Sequence, residues 1–195
     1  MNKETRIIAE IAVFVGLALV FDVIAGLFSP FKYGGSISPA MLPIFIIAYR
    51  RGLKSGLFAG FIFGIVQSLL AEALGYGVFA FIIEEGWWKF ILMFFLDYIL
   101  PFTLLGLAAI FKNPLSKKKS FIMGISLASF LRYLSHGVSG VLVWAYYAEL
   151  AGLNPWVYSF FAYNLPYMPA SYVFCLVIGL LLYDRGIWNY QLQEQ

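Results

Sequence analysis

Apolar residues run through this chain in long blocks, and short polar or Gly/Pro-rich breaks separate them. The blocks predict six helices, at about 7–28, 39–49, 55–73, 89–111, 119–146 and 157–183. Most are near the ~20 residues needed to cross a hydrocarbon core of ~30 Å; the second is short and is expected to be tilted or to begin above an aqueous cavity. The breaks carry turn chemistry. Ser29-Pro30 closes the first helix ahead of Gly34-Gly35, Arg50-Arg51-Gly52 makes a tight hairpin, and Asn113-Pro114 and Asn154-Pro155 open the later connections. The pattern predicts an all-α membrane protein forming a single domain over residues 1–195. The first block is too long for a signal-peptide core and no cleavage motif follows it, so the N-terminus is expected to remain as a span.

Composition agrees with this class: 62% of residues are hydrophobic and 12% charged, and the mean hydropathy is +0.85. The distribution of charge orients the bundle. Lys3, Arg6, Arg50, Arg51, Lys54, Lys112, Lys117, Lys118, Lys119 and Arg185 fall on one side, and only Lys32 and Lys89 on the other. The positive-inside rule places both termini in the cytoplasm. Glu72, Glu84, Glu85 and Glu149 fall outside, so the net charge of +3 reflects topology and not a nucleic-acid partner. Aromatic residues gather at the outer rim, among them Tyr76, Trp87, Trp88, Trp144 and Trp156. The lone Cys175 excludes an internal disulfide or a cysteine metal cluster.

Four ionisable side chains lie inside the apolar blocks: Asp22, Asp97, Arg132 and His136. An unpartnered charge at that depth costs roughly 2.5–3.5 kcal/mol on insertion scales, so such residues mark a polar cavity. Arg132, His136, Gly140 and Trp144 recur at a spacing of four along one face of the fifth helix. Asp97-Tyr98 precedes Pro101 on the fourth; Asn164, Pro166, Tyr167 and Pro169 make the start of the sixth irregular, which a membrane tolerates only against protein or water. Together they predict one pocket in the outer half of the bundle. Its carboxylate, guanidinium, imidazole, amide, phenols and indole suit a small cationic heteroaromatic ligand. Asp97 and Arg132 are also candidates for a structural ion pair, and Asp22 reads as structural. On the first helix Ala9, Ala12, Gly16 and Ala18 form a small-residue row, and Ala12-x3-Gly16 admits a close helix neighbour, either a partner protein or the bundle itself.

Several stretches resemble the thiamine-specific S-component of energy-coupling-factor (ECF) transporters. They are Gly34-Gly35-Ser36, Met41-Leu42-Pro43-Ile44-Phe45 running into Arg50-Arg51-Gly52, Leu96-Asp97-Tyr98, Leu131-Arg132-Tyr133 to His136 with Ser139-Gly140, and Trp156-Val157-Tyr158-Ser159 with Tyr163-Asn164 and Tyr167-Met168. The resemblance covers essentially the whole chain. It implies a six-helix S-component bundle in the cell membrane that captures thiamine from outside. It also implies a transmembrane coupling protein and two cytoplasmic ATPases as partners, with no cofactor or metal of its own. The chain is then no enzyme, and it has no Gly-x4-Gly-Lys-Ser/Thr loop. Mapped by position, the resemblance makes Asp97, Tyr98, Arg132, His136, Trp144, Tyr158, Asn164 and Tyr167 the substrate-binding residues and Ala12 and Gly16 the docking point. Loops 29–38 and 74–88 would close over the ligand, with glycines at 34, 35, 75, 77 and 86 as joints. The chain departs from the family at Ser38, where some members carry glutamate, and at Gly34, where some carry tryptophan. Tyr158 and Asn164 are six apart where five is usual, leaving Tyr158 and Ser159 as claimants for the tyrosine's place. Other readings are an S-component for another vitamin or a thiamine precursor, a self-sufficient carrier, and an intramembrane enzyme built on Glu84-Glu85 and His136.

Overall fold

A computed structural model of the chain describes residues 2–30, 35–75, 77–112 and 117–185; Lys32, Gly34, Tyr76 and Asn113-Pro114 lie outside the described residues. The described chain is helical, without strands. Five helices are long and apolar enough to cross a membrane: α1 (Lys3–Leu27), α3 (Leu53–Ala73), α5 (Trp87–Ala109), α6 (Lys117–Leu142) and α8 (Pro155–Asp184). Between them lie α2 (Met41–Arg51), α4 (Phe79–Glu85) and α7 (Ala145–Leu150).

The short α2 is the centre of the bundle. Every residue from Met41 to Tyr49 is buried, by α1, α3, the end of α5 and α8. A helix apolar on all sides finds its place where other helices surround it. Its polar end is tied down: Arg50 Nε meets Glu10 Oε1 at 2.6 Å, Arg51 pairs with the other oxygen of Glu10, and Tyr49 shares a 3.0 Å hydrogen bond with Ser120. Gly52, at φ +89°, reverses the chain into α3 in a conformation that favours glycine.

Small residues set the spacing of the long helices. Gly56, Gly60 and Gly64 form a stripe at intervals of four along α3; Gly60 and Gly64 lie flush against the backbone of α5, and Gly56 against Ala48 of α2. A Cβ on Gly60 would lie 2.1 Å from the Phe102 carbonyl oxygen, and one on Gly64 2.4 Å from that of Tyr98. Such stripes let helix backbones approach closely where lipid offers no hydrophobic drive. α1 is held by a narrower seam. Ile11, Val15 and Ala18 are its buried residues, and Asp22 continues their 4-3-4 spacing. Ala18 thus faces inward and leaves the small-residue row, whereas Ala9 and Ala12 are exposed and a Cβ on Gly16 would meet nothing within 4 Å.

Two expectations are corrected. The segment 74–88 is not an open loop: α4 occupies its centre, Gly77 packs onto the carboxylate of Glu72, and Glu72 Oε1 accepts from Phe79 N at 2.8 Å. The fifth predicted helix ends at Leu142, not 146, and α7 follows as a separate turn.

Candidate functional site

Two of the spanning helices change their winding where they meet the pocket. α5 is π-helical over Phe94–Ile99, which carries Asp97-Tyr98, and α8 over Tyr158–Asn164. A π turn takes more residues than an α turn and is rare outside functional segments. In α5 the π register ends where Pro101, the i+5 position from Leu96, has no N–H to donate, and the Leu96 carbonyl accepts instead from Ser135 Oγ at 2.6 Å. α6 straps the second π turn as well: Tyr133 OH donates to Phe160 O at 2.7 Å, and Ser159 Oγ donates to Gly137 O at 2.7 Å. Gly140 leaves room for this contact, since a Cβ there would fall 2.0 Å from Ser159 Oγ.

Between these turns, α1, α3 and the 35–36 segment lies a cavity of about 670 Å³. Asp97, Tyr98, Arg132, His136, Trp144, Tyr158, Asn164 and Tyr167 all line it. Arg132, ten residues before the end of α6, lies roughly 15 Å below that end at 1.5 Å per residue.

At the centre of one wall is the Asp97 carboxylate. Its Oδ2 accepts from Ser139 Oγ at 2.7 Å and from Trp144 Nε1 at 2.9 Å, and its Oδ1 lies 3.2 Å from His136 Nδ1. Facing a carboxylate, His136 Nδ1 is the donor of this contact, and its Nε2 is buried without a partner. Ser139 and Trp144 are neutral donors, so they fix the carboxylate in place without cancelling its charge. Trp144 reaches it from beyond α6, as the residue before α7, and not from the helical face that the spacing of four predicts.

Arg132 does not pair with Asp97. Its guanidinium lies over the Phe102 ring, 5.0 Å from the centroid, and its Nε is buried without a hydrogen-bond partner. Among the described residues it enters no ion pair. Asp22 lines the same cavity, so it belongs to its wall and not only to the packing of α1, and Gln67 Nε2 donates to its Oδ2 at 3.1 Å.

Asn164 faces the cavity with both ends of its amide engaged. Nδ2 donates to Ser159 O at 2.9 Å, and Oδ1 accepts from Tyr167 OH at 2.7 Å. It holds the π turn and aims Tyr167, whose ring in turn supports Gly35 of the segment after α1: a Cβ on Gly35, at φ +80°, would come within 2.7 Å of Tyr167 Cε1. The wide spacing from Tyr158 to Asn164 falls wholly within the π turn, which absorbs the extra residue. Tyr158 stacks on Tyr163 at 6.1 Å and 20°, and both rings line the cavity; Ser159 lines it as well, with its Oγ donating to Gly137 O. Ser38 lies outside the lining; its N–H donates to Ser171 Oγ and its Oγ accepts from Ala40 N, both at 3.1 Å.

Sequence reasoning passed over Gln67, Phe102, Tyr147 and Tyr163, which also line the cavity. Gln67 carried a usable signal, as a lone amide in an apolar span three and seven residues from Gly64 and Gly60, which face a neighbour.

Comparison with known proteins follows the same lines. The family model described as Thiamine transporter protein (Thia_YuaJ) matches residues 8–187. The thiamine transporter ThiT of Bacillus subtilis (strain 168) is 31% identical over 195 residues, with 94% of each chain covered. The thiamine transporter ThiT of Lacticaseibacillus paracasei is 27% identical over 194 residues, covering 93% of this chain and 89% of that one. A solved structure of ThiT from Listeria monocytogenes superposes with a TM-score of 0.73 at 24% identity, over 96% of this chain and 99% of that one, and so shares the fold.

Proposed function

The chain belongs to the thiamine transporter protein family, and from that premise we propose that it captures thiamine at the outer face of the cell membrane and takes part in its uptake. It is a multi-pass membrane protein. The observation that carries the reading is the state of Asp97. The neutral donors Ser139 and Trp144 hold it together with the His136 ring, and it faces a cavity lined by Trp144, Tyr147, Tyr158 and Tyr163. Thiamine carries a permanent positive charge on its thiazolium ring. A ring cation is stabilised both by a carboxylate and by the faces of aromatic rings, more so where water is excluded. Tyr98, Arg132, His136, Asn164 and Tyr167 complete the wall; Asn164 acts through the orientation of Tyr158 and Tyr167.

On this reading the protein is the substrate-specific subunit of an ATP-driven ECF transporter, with both termini cytoplasmic. It hydrolyses no ATP and depends on a transmembrane coupling protein and two cytoplasmic ATPases. The exposed Ala12 and the half-buried Gly16, where a Cβ would meet nothing within 4 Å, support the docking point. Tryptophan fluorescence of the detergent-purified protein, titrated with thiamine beside a panel of other vitamins and thiamine precursors, tests the ligand. Saturable quenching by thiamine at nanomolar concentration is expected. A response to another compound and none to thiamine would move the specificity; silence across the panel would reject the capture role.

A further inference from the structure

Away from the cavity, bases gather at the end of the bundle where α1, α3 and α6 begin and α2, α5 and α8 finish. At one corner of that end the charge is concentrated. Glu10 of α1 takes Arg50 on one oxygen and Arg51 on the other, so two guanidinium groups share a single carboxylate. The Arg50 guanidinium also lies over the Phe14 ring, 5.8 Å from its centroid. Arg6 stands one turn before Glu10 on the same face of α1, and Lys54 follows Arg51 across the Gly52 reversal. Both are exposed, and neither enters an ion pair among the described residues. Lys3 and Glu4 offset each other in formal charge, so four bases meet one acid at this corner. Apolar surface begins directly beside it. Lys54, Phe58 and Phe61 recur at spacings of four and three along one face of α3, and the two rings are 51% and 39% exposed. Long basic side chains at such a boundary keep their stems with the lipid chains and carry their charge into the headgroup layer.

We propose that this corner is a binding site for an anionic phospholipid. Arg6 and Lys54 hold its phosphate, the Arg50–Glu10–Arg51 triplet stands behind them as a fixed positive charge, and an acyl chain lies along Phe58 and Phe61. An excess of cations beside a low-dielectric layer favours an anion from outside, and clusters of bases at a membrane boundary attract anionic headgroups. The triplet adds selectivity because it is already in place: the Arg50 and Arg51 side chains are only 14% and 9% exposed and are locked onto Glu10, so little ordering remains to be done when a lipid arrives. A zwitterionic headgroup brings its own ammonium to a corner where positive charge is already in excess. A phosphatidylglycerol headgroup carries the phosphate without one. An acidic protein segment would match the charge as well, but it would leave the phenylalanine stripe that continues from Lys54 without a role. The site does not depend on which ligand fills the cavity.

Thermal melting of the detergent-purified full chain, titrated with phosphatidylglycerol or phosphatidylcholine in mixed micelles, tests the site. Phosphatidylglycerol is expected to raise the melting temperature saturably, with a midpoint about tenfold lower than that of phosphatidylcholine. Inorganic phosphate is expected to leave melting unchanged, because it brings no chain to Phe58 and Phe61; a matching shift would make the occupant a free anion and overturn the lipid. Arg6→Gln combined with Lys54→Gln removes two exposed charges and spares the Glu10 clamp, and most of the preference for phosphatidylglycerol is expected to go. Lys119→Gln combined with Arg185→Gln removes two exposed charges from the same end of the bundle, at α6 and α8, and is expected to keep it. Equal loss in the two double variants would assign the effect to the field of the whole end and overturn the site. So would an unchanged preference in Arg6→Gln/Lys54→Gln. If the wild type shows no lipid preference while that variant loses uptake in cells that also produce the coupling protein and ATPases, the corner serves a protein partner and the lipid site is rejected.

Discussion

Trp144 Nε1 donates to Asp97 Oδ2 over 2.9 Å, joining the residue just past the end of α6 to the π turn of α5. The indole is thereby both a wall of the cavity and a prop for its charge. A rim aromatic that merely anchored the protein in lipid headgroups would have no reason to turn its N–H inward.

Replacing Asp97 by asparagine keeps the shape and removes the charge. Thiamine binding is expected to weaken by about 1–3 kcal/mol, the scale of a charge-assisted hydrogen bond, which is roughly 5- to 150-fold in Kd. Calorimetric titration at constant ionic strength reads it. An unchanged Kd would remove Asp97 from the site.

Trp144→Phe preserves a ring and deletes the donor to Asp97. The expected loss is about 1–2 kcal/mol of affinity, since the carboxylate loses one of three supports. Most of the thiamine-dependent fluorescence change should vanish in the same variant. Full quenching in Trp144→Phe would assign the signal to another tryptophan and take Trp144 off the ligand.

The glycines of α3 and α1 predict opposite responses to alanine. Gly60→Ala drives a Cβ to 2.1 Å from the Phe102 carbonyl and must push α5 away. Overpacking of this kind costs about 1–3 kcal/mol, and the melting temperature in detergent should fall. Gly16→Ala meets open space, so improved helix propensity of about 0.5–1 kcal/mol should leave melting unchanged or raise it. Equal destabilisation by the two would contradict the packing described for α3.

A bulkier change at the same position separates binding from uptake. Gly16→Leu is expected to leave the thiamine Kd of the isolated protein within about twofold, since a Cβ there meets nothing within 4 Å. Uptake by cells that also produce the coupling protein and ATPases should drop sharply. Normal uptake would show that this face docks nothing.

The six helical blocks and the residues that line the cavity were legible in the chain because hydrophobic length and intramembrane charge leave plain marks. What was not legible followed from winding and from pairing at a distance. Nothing in a spacing of four shows that α6 stops before Trp144 or that α5 and α8 pass through π turns, although Pro101 hinted at the first of these. Asp97 and Arg132 looked like natural partners by sign alone. The fold gives Asp97 Ser139, Trp144 and His136 as donors and sets Arg132 against the Phe102 ring, with Asp22 on the same cavity wall. Asp22 was read as structural because one helical stripe, Ile11-Val15-Ala18-Asp22, serves as packing seam and cavity wall at once.

That stripe makes α1 a stiff rod carrying two instruments. Its 25 residues contain no proline, and Gly16 lies only six residues from Asp22, roughly 9 Å along the axis. One flank bears the cavity's carboxylate and the other the uncovered small residues. A swing of the rod that shifts the cargo end must shift the mooring in the same stroke. Evolution therefore cannot retune the cargo grip through Asp22 without also resetting the angle at which Ala12 and Gly16 meet whatever lies alongside them.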